Sequence, residues 1–426
     1  TFSFDDGLGV AESTDQHPFA YFLLLGAFIR LAGESDFVLR FPSALAATLL
    51  VPMAWAFARL LERRRLAPRH TAPWAALLMA LNPFLLWYGR EARMYTLVPL
   101  LALLSTYCLL RWTTDEPSRR PKLIPLWYAL SLGLLLGTHF LSFLILPVHA
   151  ALLFVHLRER NPRRATMVAI AVLAGGLVIG LLAAGWILKG MGSGSNFSRV
   201  PFLTLVADLL NAFSLGLSVN LTQVRWLDIV FGVVALLGAL WALRPRPTVP
   251  REAWLLLALV VTPVIELQII QQVQPAYMNA RHMSLVSAAF VLCVAAGCAA
   301  VWGWRRWAGG LLGVVLVSGM AYSTFNYFTS PEYQRDNFAQ VGADLAREML
   351  PGDAIVFSPA HMIRLYQHYL PVDALEEATR AATGEPQRPW AALPLLHGSL
   401  EDTQARLQAL LSQHRRVWLV ASGMVP

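Results

Sequence analysis

Four short polar segments interrupt the long apolar runs of this sequence. They are Asp15-Gln16-His17-Pro18, Arg90-Glu91-Ala92-Arg93-Met94-Tyr95, Thr138-His139 and Pro275-Ala276-Tyr277-Met278-Asn279-Ala280-Arg281-His282. Their carboxylates can transfer protons, and their guanidinium and imidazole groups can bind anions such as phosphates. Ionisable groups so close to hydrocarbon are costly unless they are paired or hydrated, so we interpret the segments as parts of one site. The alternative is that Arg90, Glu91 and Arg93 only anchor a helix end at the membrane surface.

The composition excludes a water-soluble protein and a disordered one. Of the 426 residues, 56% are hydrophobic and only 14% are charged, and the mean hydropathy is +0.52. An integral membrane protein remains. The net charge of +8 does not indicate nucleic-acid binding, because the basic residues are spread between apolar runs. Cys108, Cys293 and Cys298 lie inside such runs and predict neither disulfides nor a thiolate metal site.

Ten apolar runs are long enough to cross a bilayer as helices, which takes about 20 residues each. The sequence therefore predicts an all-α polytopic membrane protein. The predicted spans are Pro42–Ala58, Pro73–Tyr88, Met94–Leu110, Ile124–His139, Phe140–His156, Ala165–Leu188, Trp226–Leu243, Ala253–Ile270, Met283–Trp302 and Trp307–Phe328.

Positive charge is distributed unevenly over the connections between these spans. About half of the 34 Lys and Arg residues lie in alternate connections, such as Arg63, Arg64 and Arg65 after the first span. By the positive-inside rule these connections are cytoplasmic, which puts Thr1 and everything after Phe328 on the outer face. A polytopic chain that begins outside, and with Thr, is expected to be a fragment that has lost an upstream helix. A cleaved signal peptide is the alternative.

Three regions are predicted along the chain. Residues 1–41 form an outer loop with an interfacial helix at Pro18–Leu31, which is too short to span. Residues 42–328 form the transmembrane domain, whose outer loop Lys189–Arg225 carries an amphipathic helix at Phe202–Leu217. Residues 329–426 form a small extracytoplasmic α/β domain that could be cut short at its end. Its predicted elements are the helices Gln334–Leu350 and Ser399–Gln413 and the strands Ala354–Phe357 and Val417–Ala421.

Three motifs in residues 15–95 resemble a known superfamily. Three segments are similar to motifs of the GT-C glycosyltransferases. They are Asp15-Gln16-His17-Pro18 with the following Tyr21–Leu25, Leu39–Leu45, and Asn82-Pro83-Phe84 continuing to Glu91-Ala92-Arg93-Met94-Tyr95. The similarity is to the bacterial branch like dolichyl-phosphate-mannose-protein mannosyltransferases (glycosyltransferase family 39) and to lipid A aminoarabinose transferases. Thr138-His139 and Arg281-His282 match weaker landmarks, and the hydropathy pattern extends the likeness to about Phe328.

The resemblance implies an inverting transfer of a sugar from a polyprenyl-phosphate donor to a lipid, glycan or protein hydroxyl. It also implies the bacterial inner membrane, with the site on the extracytoplasmic side, and no organic cofactor or nucleic acid. The family's catalytic aspartate follows its first transmembrane helix, so the base is expected upstream of Thr1. Asp5 or Asp6 is the candidate to replace this base within the present sequence, and Asp15 and Glu91 are the other candidate carboxylates.

The remaining candidates are assigned by chemistry. Arg93 is expected to hold the leaving phosphate, because a guanidinium pairs two phosphate oxygens at once. Asp15 and His17 could share a divalent metal ion, although His17 could instead fix its loop by a hydrogen bond. Further donor-phosphate candidates are Arg281, Lys189 and Tyr95, and the substrate-binding candidates are His17, His139, Glu266 and His282.

Two other functions fit a polytopic chain. A transporter or flippase of a lipid-linked sugar would also carry intramembrane polar groups, but no internal repeat is visible, and the polar groups lie at the outer ends of the spans. A membrane scaffold with a binding tail is the third possibility, favoured only by the missing base.

Overall fold

The computed structural model describes residues 18–115, 121–158, 163, 167, 174–175, 199–245, 247–273, 275, 277, 279–333, 337–350, 353–358, 369, 390–392 and 400–421. The chain divides into two compact units, one that contains the helices up to Tyr333 and one that contains the chain from Gln334 onward. The helices of the first unit are α1 (Ala20–Ala32), α2 (Asp36–Arg63), α3 (Thr71–Ala80), α4 (Pro83–Gly89), α5 (Leu97–Thr114), α6 (Ile124–Leu136), α7 (Leu146–Leu157), α8 (Phe202–Ser214), α9 (Leu221–Leu240), α10 (Leu255–Val273), α11 (Ser284–Trp304) and α12 (Arg306–Thr329).

Short 3-10 turns extend several of these helices. Met94–Thr96 precedes α5, Phe140–Ile145 precedes α7, Trp241–Leu243 follows α9 and Ala280–Met283 precedes α11. With these turns included, the described part of the chain contains seven segments that are long and apolar enough to cross a membrane. The prediction of an all-α polytopic membrane protein is confirmed. The seven segments correspond to the first, third, fifth and seventh to tenth predicted spans.

The predicted span Pro73–Tyr88 is two helices in the structure, α3 and α4. Asn82 has an extended backbone, and its side-chain oxygen accepts a hydrogen bond from the Leu85 amide at 3.1 Å, which begins a new helix with Pro83 at its first position. The Asn82 amide also donates to the Phe213 carbonyl at 2.9 Å. The predicted span Ile124–His139 ends as a helix at Leu136, and Ala165–Leu188 lies largely outside the described residues.

Helix α11 lies at the centre of the first unit. Its span is buried over 89% of its most apolar window, compared with 33% for α10 and for α12. It crosses α9 very closely, because a Cβ at Gly297 would lie 2.0 Å from the Val234 carbonyl oxygen and one at Gly238 would lie 1.9 Å from that of Cys293. Small residues therefore set the distance between the two helices, as is common in membrane helix pairs.

The second unit contains a three-stranded parallel sheet. Strand β1 (Ala354–Ser358) lies between β2 (Trp390–Ala392) and β3 (Val417–Ala421), and the helices α13 (Phe338–Glu348) and α14 (Leu400–Gln413) are described with it. The predicted α/β composition of this segment is thus observed, whereas β2 was not predicted. The side chains of Leu345, Met349, Ile355, Phe357 and Val420 form its apolar core.

Asp353 organises the start of β1 in this sheet. Its carboxylate accepts hydrogen bonds from the Arg416 guanidinium at 2.6 and 3.0 Å, from the Trp418 indole at 3.0 Å and from the Leu350 amide at 2.9 Å. Burial acts to raise the pKa of Asp353, but the hydrogen bonds from Arg416, Leu350 and Trp418 outweigh it and lower that pKa below its ordinary value.

Candidate active site

Tyr95 lies at the centre of a buried polar cluster in the first unit. Its ring packs edge-on against Tyr88 at 5.1 Å and against His139 at 6.2 Å between ring centroids. The chain delivers Tyr95 to this position because Arg93 is extended and the 3-10 turn Met94–Thr96 then leads into α5. Tyr95 is fully buried.

The other half of the cluster comes from the turn that precedes α11. His282 lies with its ring 6.2 Å from that of His139, and the Arg281 guanidinium carbon is 5.7 Å from the centre of the Tyr95 ring. The Asn279 side chain caps this turn by accepting a hydrogen bond from the Arg281 amide at 3.2 Å. His139 caps the opposite turn, because its Nδ1 accepts from the Leu141 amide at 3.2 Å. Segments that are far apart in sequence thus meet here.

Several polar atoms of this cluster are buried without a hydrogen-bond partner in the described part of the chain. They include the Tyr95 hydroxyl and the Arg281 Nε. Ser142 and Ser284, which closely follow His139 and His282 in sequence, have such hydroxyls as well. Buried polar atoms are rarely left unsatisfied in proteins, so their concentration here indicates a position for a polar ligand. Because Arg281 is a cation and the hydroxyls can donate, an anion fits best.

The segment that contains Glu91 and Arg93 borders the cluster through Ser43 of α2. The Ser43 hydroxyl donates to the Arg93 carbonyl at 2.7 Å and lies 2.7 Å from the Tyr21 hydroxyl. Burial raises the pKa of Tyr21 to about 12. Glu91 is half-buried and the Arg93 side chain is exposed. Ser43 therefore fixes the backbone of Arg93 and leaves its guanidinium accessible.

Helix α1 brings the beginning of the described chain to the same place. The Ala20 amide donates to the Gly137 carbonyl at 2.9 Å, two residues before His139. The predicted outer-end segments that begin at residues 90, 138 and 275 therefore all contribute to one region. Asp5, Asp6, Asp15, His17 and Lys189 lie outside the described residues.

Tyr277 and Asp208 form a second contact beside the cluster. The Tyr277 hydroxyl donates to the Asp208 carboxylate on α8, and Tyr277 is buried. Burial raises the pKa of Tyr277, and the adjacent Asp208 carboxylate raises it further. Neither residue has a role predicted from the sequence. The only signal for Asp208 was a single acid on an amphipathic helix, which by itself indicates nothing more than a solvated face.

Two further charged residues, Glu266 and Arg90, lie apart from the cluster. Glu266 is half-buried on α10, and its Oε2 has no hydrogen-bond partner within the described ranges. No described hydrogen bond or ring contact joins it to Tyr95 or Arg281. The Arg90 guanidinium carbon is 5.3 Å from the Tyr327 ring centre and 5.5 Å from that of Phe328, so Arg90 contacts the C-terminal end of α12.

The described residues do not fit a metal ion. No group of three or more His, Cys, Asp or Glu side chains with suitable geometry occurs in the described ranges. His139 and His282 contact each other as rings, and the predicted ligands Asp15 and His17 are outside those ranges. No step of the chemistry is therefore assigned to a metal.

Comparison with known proteins finds a family model that matches part of this polytopic unit. Residues 19–163 match the family model of the protein O-mannosyl-transferase TMEM260 N-terminal domain. The matched segment includes residues 90–95 and His139, and the turn with Arg281 and His282 lies beyond it. The predicted resemblance to the GT-C superfamily is thereby confirmed for this segment, and the helices around it are those of a multi-span membrane protein. Among curated protein sequences, none matches the chain.

Solved structures with a similar course of the chain are distant in sequence. An oligosaccharyltransferase from Archaeoglobus fulgidus, crystallised with Zn and sulfate, has 14% identity and a TM-score of 0.48 over 85% of this chain. The match covers 53% of that chain, so the present chain spans about half of its length. ArnT from Cupriavidus metallidurans has 13% identity and a TM-score of 0.36, over 89% of this chain in its apo state and 88% when bound to undecaprenyl phosphate, and 79% of that chain in both.

Proposed function

We propose that the protein transfers a sugar from a polyprenyl-phosphate donor to an extracytoplasmic hydroxyl, with inversion at the anomeric carbon. The observation that carries this proposal is the cluster of Tyr95, Arg281, His139 and His282, in which the Tyr95 hydroxyl and the Arg281 Nε are buried without a described hydrogen-bond partner. The family match favours mannose as the sugar and a protein hydroxyl as the acceptor. The positive-inside pattern favours a position of the cluster on the extracytoplasmic face, and the resemblance to a bacterial branch favours the bacterial inner membrane.

In this mechanism Arg281 and Tyr95 hold the donor phosphate. Negative charge develops on the phosphate as the glycosidic bond breaks, and a preorganised cation and hydroxyl stabilise that charge more strongly than they stabilise the bound donor. Arg93, which is exposed at the border of the cluster, can supply a second guanidinium when the donor is bound. A carboxylate must accept the proton of the attacking hydroxyl, either Glu91 or an acid in the part of the chain outside the described ranges.

An apolar groove beside the cluster offers a place for the prenyl chain. It encloses about 220 Å³ between α8, α10 and α11, and its lining is apolar throughout. Two of the lining residues, Val286 and Phe290, lie one and two helical turns after His282 on α11. A lipid whose phosphate contacts Arg281 can therefore extend its first isoprene units along this groove.

The first test is transfer of radiolabelled mannose from a long-chain polyprenyl phosphate in proteoliposomes, with the wild type and with Arg281→Gln and Arg281→Lys. Removing the guanidinium is expected to reduce kcat/KM at least about 100-fold, because a charge-assisted contact in a buried site is lost. Arg281→Lys is expected to recover only part of the activity, since an ammonium group cannot pair two oxygens. Equal activity of all three proteins would contradict a phosphate role for Arg281.

The groove is tested by narrowing it. Val261→Trp fills part of the lining, whereas the control Val233→Trp adds the same bulk on α9 outside the lining, and both positions are about half-exposed. We expect Val261→Trp to raise KM for a long-chain donor more than for a donor with two isoprene units. Uniform effects on both donors would place the prenyl chain elsewhere. Movement of intact donor across the bilayer without transfer would favour the flippase.

A further inference from the structure

A second polar cavity lies at the far ends of α2 and α5. It encloses about 450 Å³ and is lined by Ala56, Leu60, Arg63, Arg64, Tyr107, Arg111 and Asp115. This volume is within the range of small-molecule binding sites. The cavity is unrelated to the cluster around Tyr95, and no role has been assigned to it so far.

Helix lengths place this cavity on the opposite side of the membrane from the candidate active site. Ser43 of α2 contacts Arg93, and the helix then continues to Arg63, which corresponds to about 30 Å at 1.5 Å per residue. Helix α5 begins next to Tyr95 and ends at Thr114, about 27 Å further on. Both distances are close to the thickness of the hydrocarbon core, which is about 30 Å.

The cavity retains positive charge after its internal pairs are counted. The guanidinium groups of Arg64 and Arg111 both bind the single Asp115 carboxylate, the second at 2.8 Å. Arg63 adds a third guanidinium and is exposed. The C-terminal ends of α2 and α5 contribute about half a negative charge each, so the sum remains about +1. The neighbouring Glu62 does not reduce it, because its carboxylate binds Arg59 and the Ala72 amide.

The residues that line the cavity change from apolar to basic along the direction from the membrane interior to its surface. Ala56 and Leu60 lie one to two turns closer to the membrane interior than Arg63 and Arg64, on the same helix. On α5, Tyr107 lies one turn inside Arg111. A free phosphate would use only the basic end, whereas a phospholipid has a charged headgroup followed by apolar chains in this same order.

We propose that the cavity lined by Arg63, Arg64 and Arg111 binds the phosphate of an anionic phospholipid at the membrane face opposite to the candidate active site. Arg63 and the outer edges of the Arg64 and Arg111 guanidiniums contact the phosphate oxygens, and Asp115 keeps the latter two side chains in place. Ala56 and Leu60 contact the glycerol and the first methylenes. Basic pockets between helix ends on this face are suited to such headgroups.

The test uses the full chain in a neutral detergent, with lipid binding followed by native mass spectrometry and by the shift of the unfolding midpoint. The ligands are dioleoyl phosphatidylglycerol, dioleoyl phosphatidylcholine and inorganic phosphate. We expect phosphatidylglycerol to bind at least about tenfold more tightly than phosphatidylcholine. Inorganic phosphate that competes as well as the lipid would overturn the lipid assignment, as would equal binding of the two lipids.

Three variants separate binding from folding. The double variant Arg63→Gln/Arg64→Gln is expected to weaken phosphatidylglycerol binding at least about tenfold, while the control Arg69→Gln, on the same face but outside the cavity, leaves it unchanged. Asp115→Asn removes the competing negative charge and keeps the side-chain shape, so it is expected to strengthen lipid binding. If Asp115→Asn and the double variant both weaken binding equally, or if neither changes it, the proposal is wrong.

Discussion

The Tyr95 hydroxyl is a buried donor that the described protein leaves unsatisfied, and such a group costs about 1–3 kcal/mol of stability. The Nε of Arg281, whose guanidinium lies over the Tyr95 ring, is also buried without a described hydrogen-bond partner. Such a loss of stability is expected at a binding site, where a bound ligand forms the missing hydrogen bonds. Stability and activity are therefore expected to oppose each other at these positions.

Tyr95→Phe tests this opposition directly. The ring contacts with Tyr88, His139 and Arg281 are kept, and only the hydroxyl is removed. We expect an unchanged or higher unfolding midpoint together with donor binding that is weaker by about tenfold, the loss of one charge-assisted hydrogen bond. The measurements are differential scanning fluorimetry and donor affinity. A large drop in the midpoint with unchanged affinity would mean that the hydroxyl is structural.

Ser43→Ala tests the tie between α2 and the Glu91–Arg93 segment. The change leaves the Tyr21 hydroxyl and the Arg93 carbonyl without their 2.7 Å partner. We expect a lower unfolding midpoint and a lower kcat, because Arg93 then loses its fixed backbone. The control is Thr48→Ala on the exposed side of α2, whose hydroxyl bonds only its own helix. Identical behaviour of the two variants would contradict a positioning role for Ser43.

The residue types of the site could be predicted from sequence, but its inner contacts could not. Tyr95, His139, Arg281 and His282 lie at the ends of apolar runs, where polar groups are costly unless they are paired or hydrated. Ser43 and Asp208 gave no comparable signal, because a Ser in an apolar helix and a single Asp on an amphipathic one have ordinary structural explanations. Only the fold places Ser43 against Arg93 and Asp208 against Tyr277.

At the scale of helices, the apolar runs determined where the spans are but not where they break. The Asn82-Pro83 pair sits inside a run that hydropathy alone joins into one span. Asn82 ends α3 and starts α4, because its side chain caps the Leu85 amide and binds the Phe213 carbonyl of α8 at the same time. That second bond is a long-range contact, which no local pattern reveals.

The close crossing of α9 and α11 makes a matched pair of substitutions possible in one helix. A Cβ at Gly297 would lie 2.0 Å from a backbone oxygen, whereas one at Gly303 would meet no atom within 4 Å. We expect Gly297→Ala to separate the helices and lower the unfolding midpoint strongly, since overpacking costs about 1–3 kcal/mol or more. Gly303→Ala is expected to be neutral. The comparison is by thermal unfolding in detergent, and equal midpoints would refute the packing argument.

The sheet of the second unit is expected to lose stability in acid. The pKa of Asp353 is lowered in the folded state, so its stabilising effect is complete above the unfolded value of about 3.9 and is lost as the pH falls through the folded one. Protection factors of the Ile355–Phe357 amides, measured by hydrogen exchange, are expected to fall below about pH 4. Asp353→Asn removes this dependence, and Asp344→Asn, on the exposed surface of α13, leaves it intact. A dependence that persists in Asp353→Asn would contradict this assignment.

At the scale of the whole molecule, the two polar regions lie at opposite ends of α2 and α5, and the charge pattern predicts that the end near Tyr95 is the outer one. This predicted sidedness is tested by labelling introduced cysteines with a membrane-impermeable maleimide. Glu34→Cys is expected to react in intact cells, and Arg69→Cys only after the cells are opened; both positions are exposed. Cys108, Cys293 and Cys298 are buried and give a silent background. The reverse pattern would invert the proposed orientation.

The central position of α11 has a consequence for how the protein is made. This helix contacts α2, α3, α5, α8, α9, α10 and α12, yet all of these except α12 are synthesised before it. Each earlier helix therefore leaves the ribosome before α11, the helix against which it packs, has been synthesised. The bundle must wait for α11 before its inner faces close, so its assembly in the bilayer is a late event, and a chaperone or the insertion machinery has reason to hold the early helices until then.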